Sequence, residues 1–147
     1  MAFLYFTTEY AIKTHDKIIE ISGGASGIKD LGNLESPLTH IQNDDYYLDL
    51  EDKITHLVFS INKNHAFTDG NKRTSIALGA FFLELNGLDS MVSKFIIEME
   101  NIAVHVADNR IDKDLLFEII TSLIYEEDYS EELKLKIIAS LSLRFCK

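Results

Sequence analysis

The stretch SIALGAFFLELNG at residues 75–87 constrains the fold more than any other part of the chain, because it is apolar on nearly every side. A helix that is apolar all round is buried on most of its surface, in a protein core or in a membrane. This stretch is shorter than the roughly 18 uncharged apolar residues that suggest a membrane span. It therefore predicts a central helix that ends at Gly87 and is surrounded by other helices.

Helical patterns recur along the rest of the chain, whereas strand patterns are scarce. Thr7 or Thr8 is suited to cap a first helix, which is expected to end at Gly23 and Gly24. Apolar residues at helical spacing predict the remaining helices, at about 34–41, 49–64, 91–107, 112–126 and 131–145. The predicted fold class is all-α, and QNDDYYLDL (42–50) is the only candidate for a short β-hairpin.

The composition narrows the class of protein. The chain carries 24 acidic and 14 basic residues, a net charge of −10, whereas proteins that bind nucleic acid usually present a basic face. No run of about 18 apolar residues and no signal-peptide pattern is present, so neither a membrane span nor secretion is expected. The single cysteine, Cys146, excludes an internal disulfide. We expect a cytoplasmic protein that binds neither nucleic acid nor membrane.

The segment HAFTDGNKR (65–73) places unusual polar chemistry just before the central helix. A helix N-terminus offers unpaired backbone N–H groups and a positive dipole end, which together bind anions. Gly70 lets the chain bring those groups close to a ligand. Lys72 adds a point charge, and Arg73 adds a planar fork that suits phosphate oxygens. These residues predict a phosphate-binding site.

Three other residues of the segment extend this interpretation. Asp69 would repel a phosphate unless it held a divalent cation, and Mg²⁺ bound by one carboxylate and phosphate oxygens resolves that conflict. His65 can accept a proton near neutral pH and is the candidate general base. Phe67 is apolar between polar neighbours, so it is expected to pin the segment into the core. A capped loop histidine without catalytic use is the alternative for His65.

The same residues carry a family resemblance. HAFTDGNKR resembles the Fic/Doc signature His-x-Phe-x-Asp/Glu-Gly-Asn-x-Arg, and every fixed position of that signature is present, at His65, Phe67, Asp69, Gly70, Asn71 and Arg73. GGASGIKDLGNLES (23–36) and NKRTSIALGAFFLELNG (71–87) are similar to segments of the Doc (death-on-curing) branch. The resemblance covers roughly residues 5–125. It implies a helical Fic/Doc catalytic domain over 1–126, with 127–147 as a helical extension of the same domain.

The resemblance also implies roles for these residues. In the family the histidine deprotonates a target hydroxyl, which assigns that role to His65. The family acid holds Mg²⁺, which makes Asp69 the metal ligand. The family nest binds the phosphates of ATP, which assigns nucleotide binding to Gly70, Asn71, Lys72 and Arg73. A flap docks the target segment in the family, and 42–50 is its expected counterpart.

Two positions depart from the AMP-transferring members of the family. Those members usually carry glycine where this chain has Lys72, and a second arginine where it has Ile76. The Doc branch, which this site resembles, is thought to pass on the γ-phosphate of ATP, with elongation factor Tu as the target. The resemblance therefore favours a toxin that phosphorylates a protein Ser/Thr hydroxyl and arrests translation. AMP transfer (nucleotidyl transfer) and a catalytically silent nucleotide-binding domain are the alternatives.

Regulation is expected to differ from that of many Fic proteins. Their Ser/Thr-x-x-x-Glu-Gly/Asn inhibitory motif is not found in this sequence, so either an antitoxin acts in trans, as for Doc, or the enzyme is unrestrained. The last predicted helix has an apolar stripe formed by Ile137, Ile138, Leu141 and Phe145. That stripe is expected either to pack on the domain or to mediate oligomerisation. The other histidines, His15, His40, His56 and His105, are expected to be structural or exposed.

Overall fold

A computed structural model describes residues 2–142 and confirms the all-α prediction. Within that range the chain forms seven α-helices and one turn of 3₁₀ helix at Asp89–Met91. The helices are α1 Thr8–Ser22, α2 Gly32–His40, α3 Leu50–Lys63, α4 Asn71–Leu85, α5 Val92–Ala107, α6 Lys113–Tyr125 and α7 Glu131–Ser142. None of the helices in the described part of the chain has the length and apolarity needed to cross a membrane.

Helix α4 is the predicted central helix. It packs against α1, α3 and α5, and Leu78, Phe82 and Leu83 are almost completely buried. The helix begins four residues before the apolar stretch, at Asn71, because Gly70 precedes it in the left-handed conformation and accepts the Thr74 N–H at 2.9 Å. The polar end of the motif thus forms the first turn of this central helix.

Helix α3 is the second central element. It packs against α2, α4, α5 and α6, and most of its residues are buried, including the apolar Ile54, Leu57, Val58 and Ile61. Helices α3 and α4 are joined by the short loop 64–70, so the motif connects the two best-packed helices of the domain. Such a loop is held at both ends by rigid elements, which is a favourable place for a precisely positioned site.

The segment 42–50 forms turns, and the β-hairpin considered for it is wrong. The Asn43 side chain accepts the Asp45 N–H at 3.0 Å, and the Asn43 carbonyl accepts the Tyr47 N–H, also at 3.0 Å. When an asparagine side chain accepts a hydrogen bond from the backbone N–H two residues later, the chain forms a turn rather than a strand. Residues 42–49 join α2 to the start of α3, whereas the motif loop follows the end of α3. The expectation that this segment forms a flap beside the active-site loop is therefore also wrong. We call residues 42–49 the flap turn.

A fully buried lysine holds the flap turn in place. Lys53 Nζ donates to the Ile41 carbonyl at 2.6 Å and to the Asp44 carboxylate at 2.7 Å. Its ammonium also lies over the rings of Phe3 and Tyr5, at 5.1 and 5.6 Å from the ring centres. Burial, the largest single influence, would lower the pKa of Lys53, but the hydrogen bonds and charges of Asp44 and Tyr5 together outweigh it and the pKa is raised. The charge is thus retained inside the protein because it is paired.

A histidine cluster packs on the other side of the flap turn. His56 Nε2 lies 3.1 Å from His40 Nδ1, and His56 Nδ1 lies 2.7 Å from Lys113 Nζ. The ring of Tyr47 covers His56 at 4.4 Å between centres. Burial, then the charge of Lys113, lowers the pKa of His56 to about 4. His56 is therefore neutral in the folded protein at neutral pH, consistent with the structural role expected for it.

Helix α7 lies against α6. Leu133 is buried, and Lys136 Nζ bonds the Glu118 carboxylate at 2.8 Å. Leu135 and Ile138 are exposed, so the expected apolar stripe is only partly covered. Its last member, Phe145, lies outside the described residues, as does Cys146.

The close packing of α3, α4 and α5 makes Gly79 a sensitive position. A Cβ at Gly79 would lie 2.9 Å from both Val58 Cγ2 and Phe95 Cζ. Alanine gains up to about 1 kcal/mol of helix propensity, but overpacking a core costs about 1–3 kcal/mol. We expect Gly79→Ala to lower the free energy of unfolding in urea, and Val58→Ala to recover part of the loss in the double variant. Additive effects of the two changes would contradict this packing.

The depressed pKa of His56 predicts acid sensitivity. The folded state keeps His56 neutral down to about pH 4, whereas the unfolded chain takes up this proton below about pH 6.5. Stability should therefore fall as the pH drops from 6.5 to 4, by up to about 3 kcal/mol from this group. His56→Gln should flatten the dependence of unfolding free energy on pH in that window. Equal slopes for the two proteins would show that His56 is not responsible.

Candidate active site

The motif loop begins with a backbone conformation that is unusual for a non-glycine residue. His65 has φ 49° and an exposed side chain. The Asn33 side chain fixes the preceding residue by donating to the Asn64 carbonyl at 2.8 Å. A left-handed residue of this kind costs roughly 1–2 kcal/mol and persists where the surrounding structure enforces it, often at functional sites. The imidazole of His65 is thus presented to solvent from a constrained loop.

The glycine-rich segment after α1 lies along the motif loop. The Ala66 carbonyl accepts the N–H groups of Lys29 and Asp30, at 2.8 and 3.0 Å, and the Thr68 N–H donates to the Gly27 carbonyl at 3.1 Å. An isolated antiparallel bridge joins Ile28 and Phe67. Two loops far apart in sequence therefore support each other through their backbones.

Phe67 lies beneath the loop, fully buried. Its ring stacks on the buried ring of His15, with centres 3.8 Å apart and planes 4° apart. His15 Nε2 lies 2.6 Å from the Asp69 carbonyl, and because a carbonyl only accepts, Nε2 carries the proton in this contact. The Asn71 amide accepts the Phe67 N–H at 3.0 Å and donates to the Phe67 carbonyl at 2.9 Å. This reciprocal pair ties the loop to the start of α4.

The Asp69 carboxylate is held by backbone donors. Oδ2 accepts the Ala25 N–H at 3.0 Å, and Oδ1 accepts the Gly70 N–H at 2.8 Å. These two hydrogen bonds, helped by the charge of Arg73, lower the pKa of Asp69. Gly24 permits the approach, because a Cβ there would lie 2.6 Å from Asp69 Oδ2. The carboxylate is ionised at neutral pH and about half exposed, at 48%.

The N-terminus of α4 forms the predicted anion-binding position. The N–H groups of Asn71, Lys72 and Arg73 belong to the first turn, where a helix supplies no acceptors of its own. Lys72 is exposed. Arg73 Nη1 donates to the Gly23 carbonyl at 3.0 Å, and Nη2 lies 4.0 Å from Asp69 Oδ1. Because the Asn71 side chain is buried and bonded to Phe67, its backbone N–H is the group best placed to bind an anion.

The site offers a single carboxylate, which suits Mg²⁺ better than a metal ion that is held wholly by protein side chains. No group of three or more His, Cys, Asp and Glu side chains in the range 2–142 could hold a metal ion. Asp69 offers ionised, accessible oxygens beside a helix N-terminus. Mg²⁺ is commonly bound by one or two carboxylates together with phosphate oxygens and water. Asp69 is therefore the residue that would hold it.

Comparison with known proteins agrees with this geometry. The Fic/DOC family model matches residues 5–83, which include α1, the glycine-rich segment, the motif loop and most of α4. The chain belongs to the Fic/Doc family. It is also 33% identical over 96 residues to "Toxin Doc" of Mycolicibacterium smegmatis (strain ATCC 700084 / mc(2)155), a match that covers 63% of this chain and 74% of that protein. Fic/Doc proteins are transferases, and this relative is consistent with the Doc branch.

Sequence reasoning missed the residues that support the site from α1 and the glycine-rich segment. His15 was expected only to be structural or exposed, and its contact with Asp69 spans 54 positions of sequence. Its place in the apolar stripe of α1 was the available signal, because a histidine there needs a buried hydrogen-bond partner. The role of Gly24 beside Asp69 had no comparable signal beyond the paired glycines.

The Asn71–Phe67 pair predicts a large effect of a small substitution. Asn71→Ala would leave the buried N–H and carbonyl of Phe67 without partners, at about 1–3 kcal/mol for each unsatisfied group. We expect a loss of about 2–4 kcal/mol in unfolding free energy, measured in urea. The neighbouring Lys72→Ala, at an exposed position, should change stability by less than about 0.5 kcal/mol. Similar losses for both variants would mean that the pair does not hold the loop.

Proposed function

We propose that this protein is a Doc-like toxin that transfers the γ-phosphate of ATP to a Ser/Thr hydroxyl of a protein, with elongation factor Tu as the first target to test. The observation that carries the proposal is the junction of the motif loop with α4. There an exposed His65, an ionised Asp69 and the cationic first turn of a helix all lie within nine residues. A base, a metal ligand and a phosphate site are the parts that phosphoryl transfer requires.

The proposed reaction uses His65 as the base. The target hydroxyl loses its proton to His65, and its oxygen forms a bond to the γ-phosphorus of ATP. The bond between that phosphorus and the oxygen bridging to the β-phosphate breaks, and ADP leaves with the bonding electrons. The first-turn N–H groups of α4, with Lys72 and Arg73, bind the phosphates. Mg²⁺ held by Asp69 would neutralise charge on the phosphates.

Phosphate transfer is favoured over AMP transfer by two side chains. Ile76 is half-buried on α4, and an aliphatic side chain cannot hold the far phosphates as the second arginine of AMP-transferring members does. Lys72 is exposed in the first turn of the same helix and adds a cation where those members have glycine. Both differences match the Doc branch.

Two observations support the toxin role: the name of the relative, and the lack of a Fic-type inhibitory motif in this sequence. The M. smegmatis relative is called a toxin, and the sequence carries no inhibitory motif of the Fic type. We therefore propose that an antitoxin protein acts in trans.

A mass measurement tests the reaction. The protein is incubated with elongation factor Tu, ATP and Mg²⁺, and the target is weighed intact. We expect a gain of about 80 Da, one phosphate, with the wild type. His65→Asn is the matched variant, because asparagine tolerates the left-handed backbone and keeps the loop while removing the base. It should abolish the gain, whereas a gain of about 329 Da with the wild type would mean AMP transfer and contradict the proposal.

Expression in cells distinguishes a catalytic toxin from a nucleotide-binding domain without catalysis, and the test does not require the target protein to be known. Growth arrest by the wild type that disappears with His65→Asn would support a catalytic toxin. Arrest that persists in the variant would favour the nucleotide-binding domain that acts without catalysis.

A further inference from the structure

A cavity lies at the opposite end of the bundle from the motif. Helix α4 begins in the motif and runs for 15 residues, about 20 Å at 1.5 Å per residue, and the cavity opens beside its far end. Its volume is about 730 Å³. The apolar residues that line it come from the N-terminal segment, the flap turn, α3, the segment after α4, and α6, and they are Phe3, Leu48, Leu50, Leu88, Ile124 and Tyr125.

The mouth of the cavity is apolar and exposed. Leu48 and Tyr125 each leave 63% of their surface open to solvent, an unfavourable arrangement unless it is covered in use. A concave apolar site of this volume falls within the range that proteins use to bind ligands. The proposed phosphotransfer makes no use of it, because its lining lies at the far end of α4 from the motif.

The chain around the cavity is strongly acidic. Five carboxylates lie between residues 44 and 52, at Asp44, Asp45, Asp49, Glu51 and Asp52. Asp44 and Asp49 line the cavity itself. Among residues 2–142, only Asp44 of these five forms an ion pair, with the buried Lys53. Asp49 and Asp52 accept backbone N–H groups in the capping box of α3, and no basic side chain within residues 2–142 pairs with Asp45, Asp49, Glu51 or Asp52.

One of these carboxylates is buried beside the cavity. Glu51 is only 8% exposed, and its Oε2 has no hydrogen-bond partner within residues 2–142. The nearby Glu51 carboxylate is the largest influence that raises the pKa of Tyr125, a lining residue, to about 12, and burial and the charges of Asp49 and Asp52 add to it. A buried carboxylate oxygen without a donor is unfavourable. The negative charge of Glu51, next to the lining residues Leu50 and Tyr125, favours a cationic group in the cavity.

We propose that this cavity binds a basic amphipathic helical segment of another protein, with apolar side chains in the cavity and Lys or Arg against the carboxylates of 44–52. Apolar anchors surrounded by complementary charge are the usual composition of such a site. A second copy of this chain fits poorly, because each copy carries a net charge of −10 and like charges repel. This proposal does not depend on the catalytic role of the motif.

A synthetic probe tests the charge requirement. The probe is a labelled peptide designed as a helix, with Leu at positions i, i+3, i+4 and i+7 and Lys on the flanks, and its twin carries Glu in place of Lys. Fluorescence anisotropy with the full chain should show saturable binding of the Leu/Lys peptide and none of the Leu/Glu twin. Equal binding of the twin would overturn the proposal, since the cavity would then select apolar ligands regardless of charge.

Matched substitutions test the location. Leu48→Ser and Tyr125→Ser remove exposed apolar surface at the mouth and should weaken binding of the Leu/Lys peptide about tenfold or more. Tyr46→Ser is the control, because Tyr46 belongs to the same turn and is 79% exposed but does not line the cavity. Asp49→Asn retains a good helix cap and should weaken binding more than Asp45→Asn.

Two results would overturn the location or the occupant. Equal weakening by Leu48→Ser and Tyr46→Ser would show nonspecific attraction to an acidic protein. Sedimentation of the chain alone is the second check. Self-association that Leu48→Ser abolishes would assign the cavity to a second copy.

Discussion

The reciprocal hydrogen bonds between the Asn71 side chain and the Phe67 backbone are the contact on which the site depends. They join the loop that presents His65 and Asp69 to the first turn of α4, one of the two central helices of the domain. The core therefore fixes the position of the loop, and the loop in turn fixes where the helix begins. The stack of Phe67 on His15 closes the arrangement from below. A polar site thus takes its rigidity from an apolar helix.

The ionisation of Asp69 is built from backbone groups. Two N–H donors and one guanidinium stabilise its charge without any buried cation. The Ala25 N–H can reach Asp69 only because Gly24 has no side chain, since a Cβ on Gly24 would lie 2.6 Å from Asp69 Oδ2. Gly24, which the sequence shows only as part of a glycine-rich loop, is therefore required by steric contact.

The sequence alone predicted the helices and identified the motif, because both are local patterns. Periodic apolar residues predicted the seven helices, and the spacing of the polar residues in 65–73 indicated a phosphate site. The hairpin at 42–50 was wrong for a reason that local patterns do not reveal. Lys53 would be assigned to the surface by its type, yet it is buried and holds the flap turn through Asp44 and Ile41. The role of His15 was missed because its partner lies 54 residues away.

The contacts of α1 with the motif affect the fraction of molecules in which the site is assembled. Helix α1 supplies His15, and the residue that follows it, Gly23, accepts from Arg73. A single helix can detach from a domain in a partial opening that leaves the rest folded. In any such open form Asp69 and Arg73 lose these two contacts while α3 and α4 remain intact. The local opening equilibrium of α1, rather than global unfolding, would then set the fraction of molecules whose site is assembled.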